Sequence, residues 1–144
     1  MNRQVQIHIV WMALLVCCSW VQAEQKQVFG DYEVHYIGLT STDLSPQVAQ
    51  QYGISRSRNL GYISVSVLKR GRKNAIDANV EGTMVNLLGQ YKQLDFIRIQ
   101  EGHAIYFIST FKFDAEEIYT FELNLKTIKP KKELALKFEQ KFYK

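Results

Sequence analysis

Beyond residue 23, His35 and His103 are the only imidazoles in the chain. His35 follows Glu33 by two positions, the spacing that sets both side chains on one face of an extended strand, where a carboxylate orients a histidine for general acid–base work. Such chemistry also needs a nucleophile and a site for developing negative charge. No Gly-x-Ser-x-Gly elbow is present, and Ser41, Ser55 and Ser57 lie among turn residues, where hydroxyls cap and brace the backbone. A metal centre would require His35 and His103 to converge with Asp31 or Glu33, without any His-x-His or His-x-x-x-His spacing. Neither a metal nor a cofactor is expected, and no glycine-rich phosphate cradle is visible. Binding without catalysis is therefore the leading expectation; an enzyme using His35 with Glu33 and Tyr36 is the alternative.

The run Ser55-Arg56-Ser57-Arg58-Asn59 offers a different chemistry. A guanidinium is a planar fork suited to bidentate capture of anions. Arg56 and Arg58, with His35 and Tyr36, thus form the candidate ligand-binding set. A structural role for Arg56 is the first reading: it could bond the last carbonyls of a preceding helix, or reach Asp31 or Asp43 and lock that helix in place. Two lysine-rich stretches, residues 69–73 and the C-terminal segment from Lys126 to Lys144, read as guarded hairpin tips and sheet edges. They could also face anionic lipid headgroups or envelope polysaccharide.

These residues belong to a recognisable string of elements. Tyr32, Val34 and Tyr36 alternate with Asp31, Glu33 and His35, the period of a half-buried strand. Ser45 then stands at a helix N-cap, Pro46 at the first helical position and Gly53 where a left-handed terminator is needed. Val48 and Tyr52, four apart, share a face with Ala49 beside them. A helix this short is stable only when packed, so Val48, Tyr52, Leu44 and Ile54 should hold it against the sheet as a plug or lid over one end of the domain.

The remainder alternates with a period of two between turn signals. Ile63, Val65 and Val67 oppose Ser64 and Ser66. Ile76, Ala78 and Val80 alternate until the phase slips near Gly82, as at a bulge. Residues 94–99 read as one strand. Residues 103–113 are apolar on both faces and so central. Tyr119, Phe121, Leu123 and Leu125, then Leu134, Leu136 and Phe138, complete the series. The pattern predicts an all-β chain: an immunoglobulin-like β-sandwich of about seven strands, with one short helix inserted after the first strand. A closed barrel is the alternative. Neither of the two prolines falls inside a predicted strand.

The segments Gly30-Asp31-Tyr32-Glu33-Val34-His35-Tyr36, Ser41-Thr42, Leu44, Pro46, Val48-Ala49, Tyr52-Gly53-Ile54, Arg56-Ser57 and Ser66-Val67-Leu68 resemble the signature of the bacterial family known as domain of unknown function 4426. The sequence departs from that pattern at residues 37–40, where an Asn-Ala-aromatic-Asn run is usual, and at Asp43, where an aromatic is usual. The resemblance implies an exported β-sandwich and no particular activity.

Residues 1–23 carry Arg3, an apolar run over residues 9–16 and a small-residue exit at Val21-Gln22-Ala23, the pattern of a secretory signal peptide cut after Ala23. The run is shorter than the ~20 residues a membrane span needs. Neither Cys17 nor Cys18 follows the Gly, Ala or Ser usual before a lipidated cysteine, so lipid anchoring is not expected. Both cysteines would leave with the leader, excluding disulfides and thiolate chemistry from residues 24–144. The formal charge of +4, reduced by one with Arg3, is far from a nucleic-acid-binding balance. The expectation is a periplasmic single-domain module without a transmembrane segment, monomeric or weakly oligomeric, whose partner is an envelope protein or an anionic ligand.

Overall fold

In the computed structural model, residues 25–114 and 116–144 are described; the expected leader lies outside them. Nine strands follow one another: β1 (Gln25–Phe29), β2 (Tyr32–Thr40), β3 (Leu60–Lys69), β4 (Ala78–Val85), β5 (Tyr91–Leu94), β6 (Ile97–Glu101), β7 (Ala104–Lys112), β8 (Ile118–Thr127) and β9 (Lys132–Lys141). A 3-10 turn (Ser41–Asp43) and one helix, α1 (Pro46–Gln51), separate β2 from β3. Every strand pair is antiparallel. One sheet runs β1-β2-β3-β7-β6 and the other β5-β4-β8-β9. The chain is an all-β sandwich, as its alternation implies, and the two sheets do not close into a barrel.

Alternation decides which side of each strand is dry. Val34, Ile63, Val65 and Val67 from the five-stranded sheet meet Phe121, Leu123, Leu125, Leu134 and Leu136 from the other, all 3 % exposed or less. Aromatic rings close one end of this seam. Phe111 lies 5.4 Å from Phe121 and 5.3 Å from Phe142, while Phe121 stacks on Phe138 at 5.0 Å.

Three sequence expectations need correction. Strand β1 was not anticipated, because Gln25-Lys26-Gln27-Val28 is an exposed edge with no apolar face to betray it; α1 consequently follows the second strand. Residues 94–99 are two strands: β5 ends at buried Leu94 in one sheet, and β6 begins at Ile97 in the other, so Asp95 and Phe96 carry the chain across the sandwich. Nor does the phase slip at Gly82. Strand β4 keeps unbroken register with β8, and Gly82 takes an inward position because a Cβ there would overlap the Leu123 side chain and come within 2.9 Å of the Glu122 carbonyl oxygen. The expected central strand is confirmed: β7 lies between β3 and β6.

Inside the seam, the Ser109 hydroxyl is buried without a hydrogen-bond partner among the described residues. A hydroxyl stripped of water and left unpaired costs about 1–3 kcal/mol. Ser109→Ala should therefore raise stability by about 1 kcal/mol in urea denaturation, whereas Phe121→Ala should lower it by about 3–5 kcal/mol.

Candidate functional site

Helix α1 owes its position to its ends. The Ser45 side chain accepts the Val48 N–H at 3.3 Å, and Pro46 fills the first helical position. At the far end, Gly53 is left-handed (φ 65°) and the Ile54 N–H returns to the Ala49 carbonyl at 2.8 Å, a Schellman closure. The short helix is held by a second apolar cluster: Leu44, Ala49, Tyr62 and Ile108, bordered by Val48, Tyr52, Ile54, Ile37, Leu39, Ile99 and Tyr106. These sheet residues are on the outer face of β2, β3, β7 and β6. The expected contacts of Val48, Tyr52, Leu44 and Ile54 are present, yet the helix covers a sheet face and does not plug an end of the sandwich. Glu101, last residue of β6, latches it: one carboxylate oxygen accepts from Gln51 Nε2 at 2.5 Å and from the Tyr52 hydroxyl at 2.8 Å.

Beside the helix the outer face sinks into a pocket of about 260 Å³ lined by His35, Ile37, Val48, Tyr52, Tyr62, Ser64, Ser66, Tyr106 and Ile108. Ser64 and Ser66 form its floor on the middle strand β3, both over 90 % buried, with Ser66 directly opposite His35 in the β2–β3 ladder. His35 Nε2 is 3.3 Å from Glu33 Oε2, and Lys26 approaches the other Glu33 oxygen at 3.4 Å. The hydrogen bond with His35 holds the Glu33 carboxyl below the usual carboxylate range. Burial, reinforced by the hydrogen bond to Glu101, pushes the Tyr52 hydroxyl up to about 12; burial also raises Tyr62. Both tyrosines are neutral hydrogen-bonding groups at ordinary pH.

The four candidate ligand residues do not meet. His35 enters the pocket, while Tyr36, its neighbour in the strand, points inward and packs on Phe138 with ring centroids 4.4 Å apart. Arg56 and Arg58 are exposed in the loop after the helix. Arg56 donates to the Thr42 carbonyl at 2.6 Å, tying this loop to the 3-10 turn instead of reaching the helix carbonyls, Asp31 or Asp43. Ser41 reinforces the tie: its hydroxyl donates to the Ser57 carbonyl at 3.0 Å and accepts the Ser57 N–H at 2.9 Å. Sequence reasoning missed Tyr62, Tyr106, Ser64 and Ser66. Alternation marked the two serines as the polar side of β3, but on a centre strand, among Ile37, Tyr106, Ile108 and Val48 of the helix, they are buried.

A wider depression of about 590 Å³ crosses the outer face of the four-stranded sheet, lined in part by Glu81, Thr83, Glu122, Asn124 and Lys137. Among the described residues no helix roofs it, and its one lysine, Lys137, is paired with Glu122 at 2.7 Å.

Residues 26–144 match the family described as Domain of unknown function (DUF4426). The chain belongs to that family. A crystal structure of a DUF4426 family protein from Pseudomonas aeruginosa superimposes with a TM-score of 0.74 at 31 % identity, covering 86 % of this chain and 98 % of that one. Two structures of FetP from uropathogenic Escherichia coli are similar in fold, each with a TM-score of 0.59 at 14 % identity. One is a copper-bound variant, covering 83 % of this chain and 95 % of that one. The other is the as-isolated protein, expressed recombinantly in the periplasm, covering 84 % and 94 %. No curated protein matches. Among the described residues of this DUF4426 chain, no helix is long and apolar enough to cross a membrane.

Two titrations test the site. Because the folded Tyr52 hydroxyl holds its proton up to about 12 against an ordinary 10, its contribution to helix docking is complete below pH 10 and lost as pH rises toward 12. Protection of the helix amides from hydrogen exchange should fall through that window, and Tyr52→Phe should remove this component. Conversely, His35→Ala should let the Glu33 carboxyl rise toward 4.5, read by carbon-13 NMR of the side chain.

Proposed function

We propose that the protein is an exported, non-catalytic binding module whose ligand occupies the pocket between α1 and the outer face of the five-stranded sheet, with His35 among its contacts. The observation that carries this reading is the combination, in one recess, of buried hydroxyls, three tyrosines and an imidazole beneath a helix that is separately latched. A recess with an apolar lining and a few convergent polar groups is the ordinary form of a small-ligand site. Export is supported by the leader pattern of residues 1–23 and by a family match that begins only at residue 26. Periplasmic expression of the as-isolated FetP is in keeping with that compartment.

Catalysis by His35 with Glu33 has less support. Their contact is present, but the N–H groups of β2 and β3 around His35 belong to the sheet ladder, leaving no paired donors for an oxyanion. The copper of the FetP variant suggests a metal role, yet Glu33 and His35 supply only two donors, and no three His, Cys, Asp or Glu side chains gather among the described residues. The arginine clamp has lost one member to the Thr42 carbonyl.

A fragment screen followed by nitrogen-15 NMR should shift the amides of His35, Ser64, Ser66 and Tyr106. Ser66→Leu should fill the floor and abolish those shifts, while the double variant Arg56→Ala, Arg58→Ala leaves them unchanged. Binding that maps to the arginine loop and survives Ser66→Leu would overturn the reading. N-terminal sequencing of the periplasmic product should begin at Glu24.

A further inference from the structure

The chemistry of the lining narrows what the pocket holds. Among the described residues no Lys or Arg lines it, and the imidazole of His35 is engaged with Glu33, so an anion would find no standing charge partner. Nor does any Asn, Gln, Asp or Glu line it, the groups that fork onto the paired hydroxyls of a sugar. What it offers instead is three phenol rings, and a ring face attracts a cation through its quadrupole. Directly behind Tyr52 stands Glu101, which accepts two neutral hydrogen bonds and joins no ion pair among the described residues. Its charge acts on the hydroxyls of both Tyr52 and Tyr62 and helps to raise them. At the opposite end Glu33 is already compensated by Lys26 and held by His35. The carboxylate without an ion pair among the described residues thus stands at the tyrosine end.

We propose that the tyrosine end of this pocket binds an organic cation, an alkylated or quaternary ammonium group seated against Tyr52, Tyr62 and Tyr106, with Glu101 supplying the counter-charge from the rim. This rests on the pocket being the binding site. Ser64 and Ser66 take a hydroxyl or carbonyl elsewhere on the same ligand, and Ile37, Val48 and Ile108 cover its alkyl carbons. The volume of about 260 Å³ accommodates a small molecule of this kind.

The test compares choline with its uncharged isostere 3,3-dimethylbutan-1-ol, titrated by NMR against the purified protein. Choline should bind about tenfold more tightly, shifting the amides of Ser64, Ser66 and Tyr106. Glu101→Gln, which retains an oxygen for Tyr52 and Gln51, should erase most of that preference without weakening the isostere. Tyr106→Leu should lose choline, and Tyr106→Phe, which restores the ring, should recover it. Equal affinity for both probes at these amides would overturn the cation assignment while leaving the pocket reading intact. Choline binding at these amides untouched by Tyr106→Leu would likewise overturn the cation assignment, and shifts confined to other surfaces would overturn both.

Discussion

The register between β3 and β7 depends on one ring and one missing side chain. Gly61 stands opposite Phe111 in the ladder, and a Cβ at Gly61 would collide with the Phe111 ring. The ring therefore lies over the glycine and from there reaches Phe121 and Phe142 across the seam. Slipping the pairing by one residue would turn every side chain of β3 over. Ser64 and Ser66 would exchange places with Ile63 and Val65, placing hydroxyls in the seam and branched hydrocarbon in the pocket. The same close approach that joins the sheets thus fixes which residues face the recess beside α1.

Much of this arrangement was legible along the chain, because strict alternation over β2, β3, β8 and β9 admits only one set of inward residues. The caps of α1 were equally plain, since Ser45, Pro46 and Gly53 each meet a backbone need that few residue types satisfy. What alternation could not convey was cover. Ser64 and Ser66 look like a solvent face until the helix, 16 residues upstream of β3's centre in sequence, is seen to fold back over them. Edge strand β1 was silent because an exposed edge needs no apolar pattern, and the β5–β6 crossover was silent because Leu94 and Ile97 serve different sheets with two residues between them.

The candidate site was half visible. His35 and Glu33 were found because two residues on one strand face must be neighbours. Tyr36 failed to join them for the same reason, its odd place in the alternation sending it to Phe138. Arg56 behaves as a strut: Thr42, Arg56, Ser41 and Ser57 tie the loops before and after the helix together. The tyrosines were hidden by distance, since Tyr52, Tyr62 and Tyr106 come from a helix C-cap and two strands that only tertiary pairing brings to one spot.

Two hydrophobic clusters on opposite faces of one sheet have different tasks. The seam between the sheets answers for folding; the cluster beneath α1 answers for the shape of the recess. A substitution at Val48, Ile37 or Tyr106 spends its energetic penalty locally, because none of these side chains belongs to the inner seam. Such a scaffold lets the outer layer be rewritten while the inner one continues to hold the chain together.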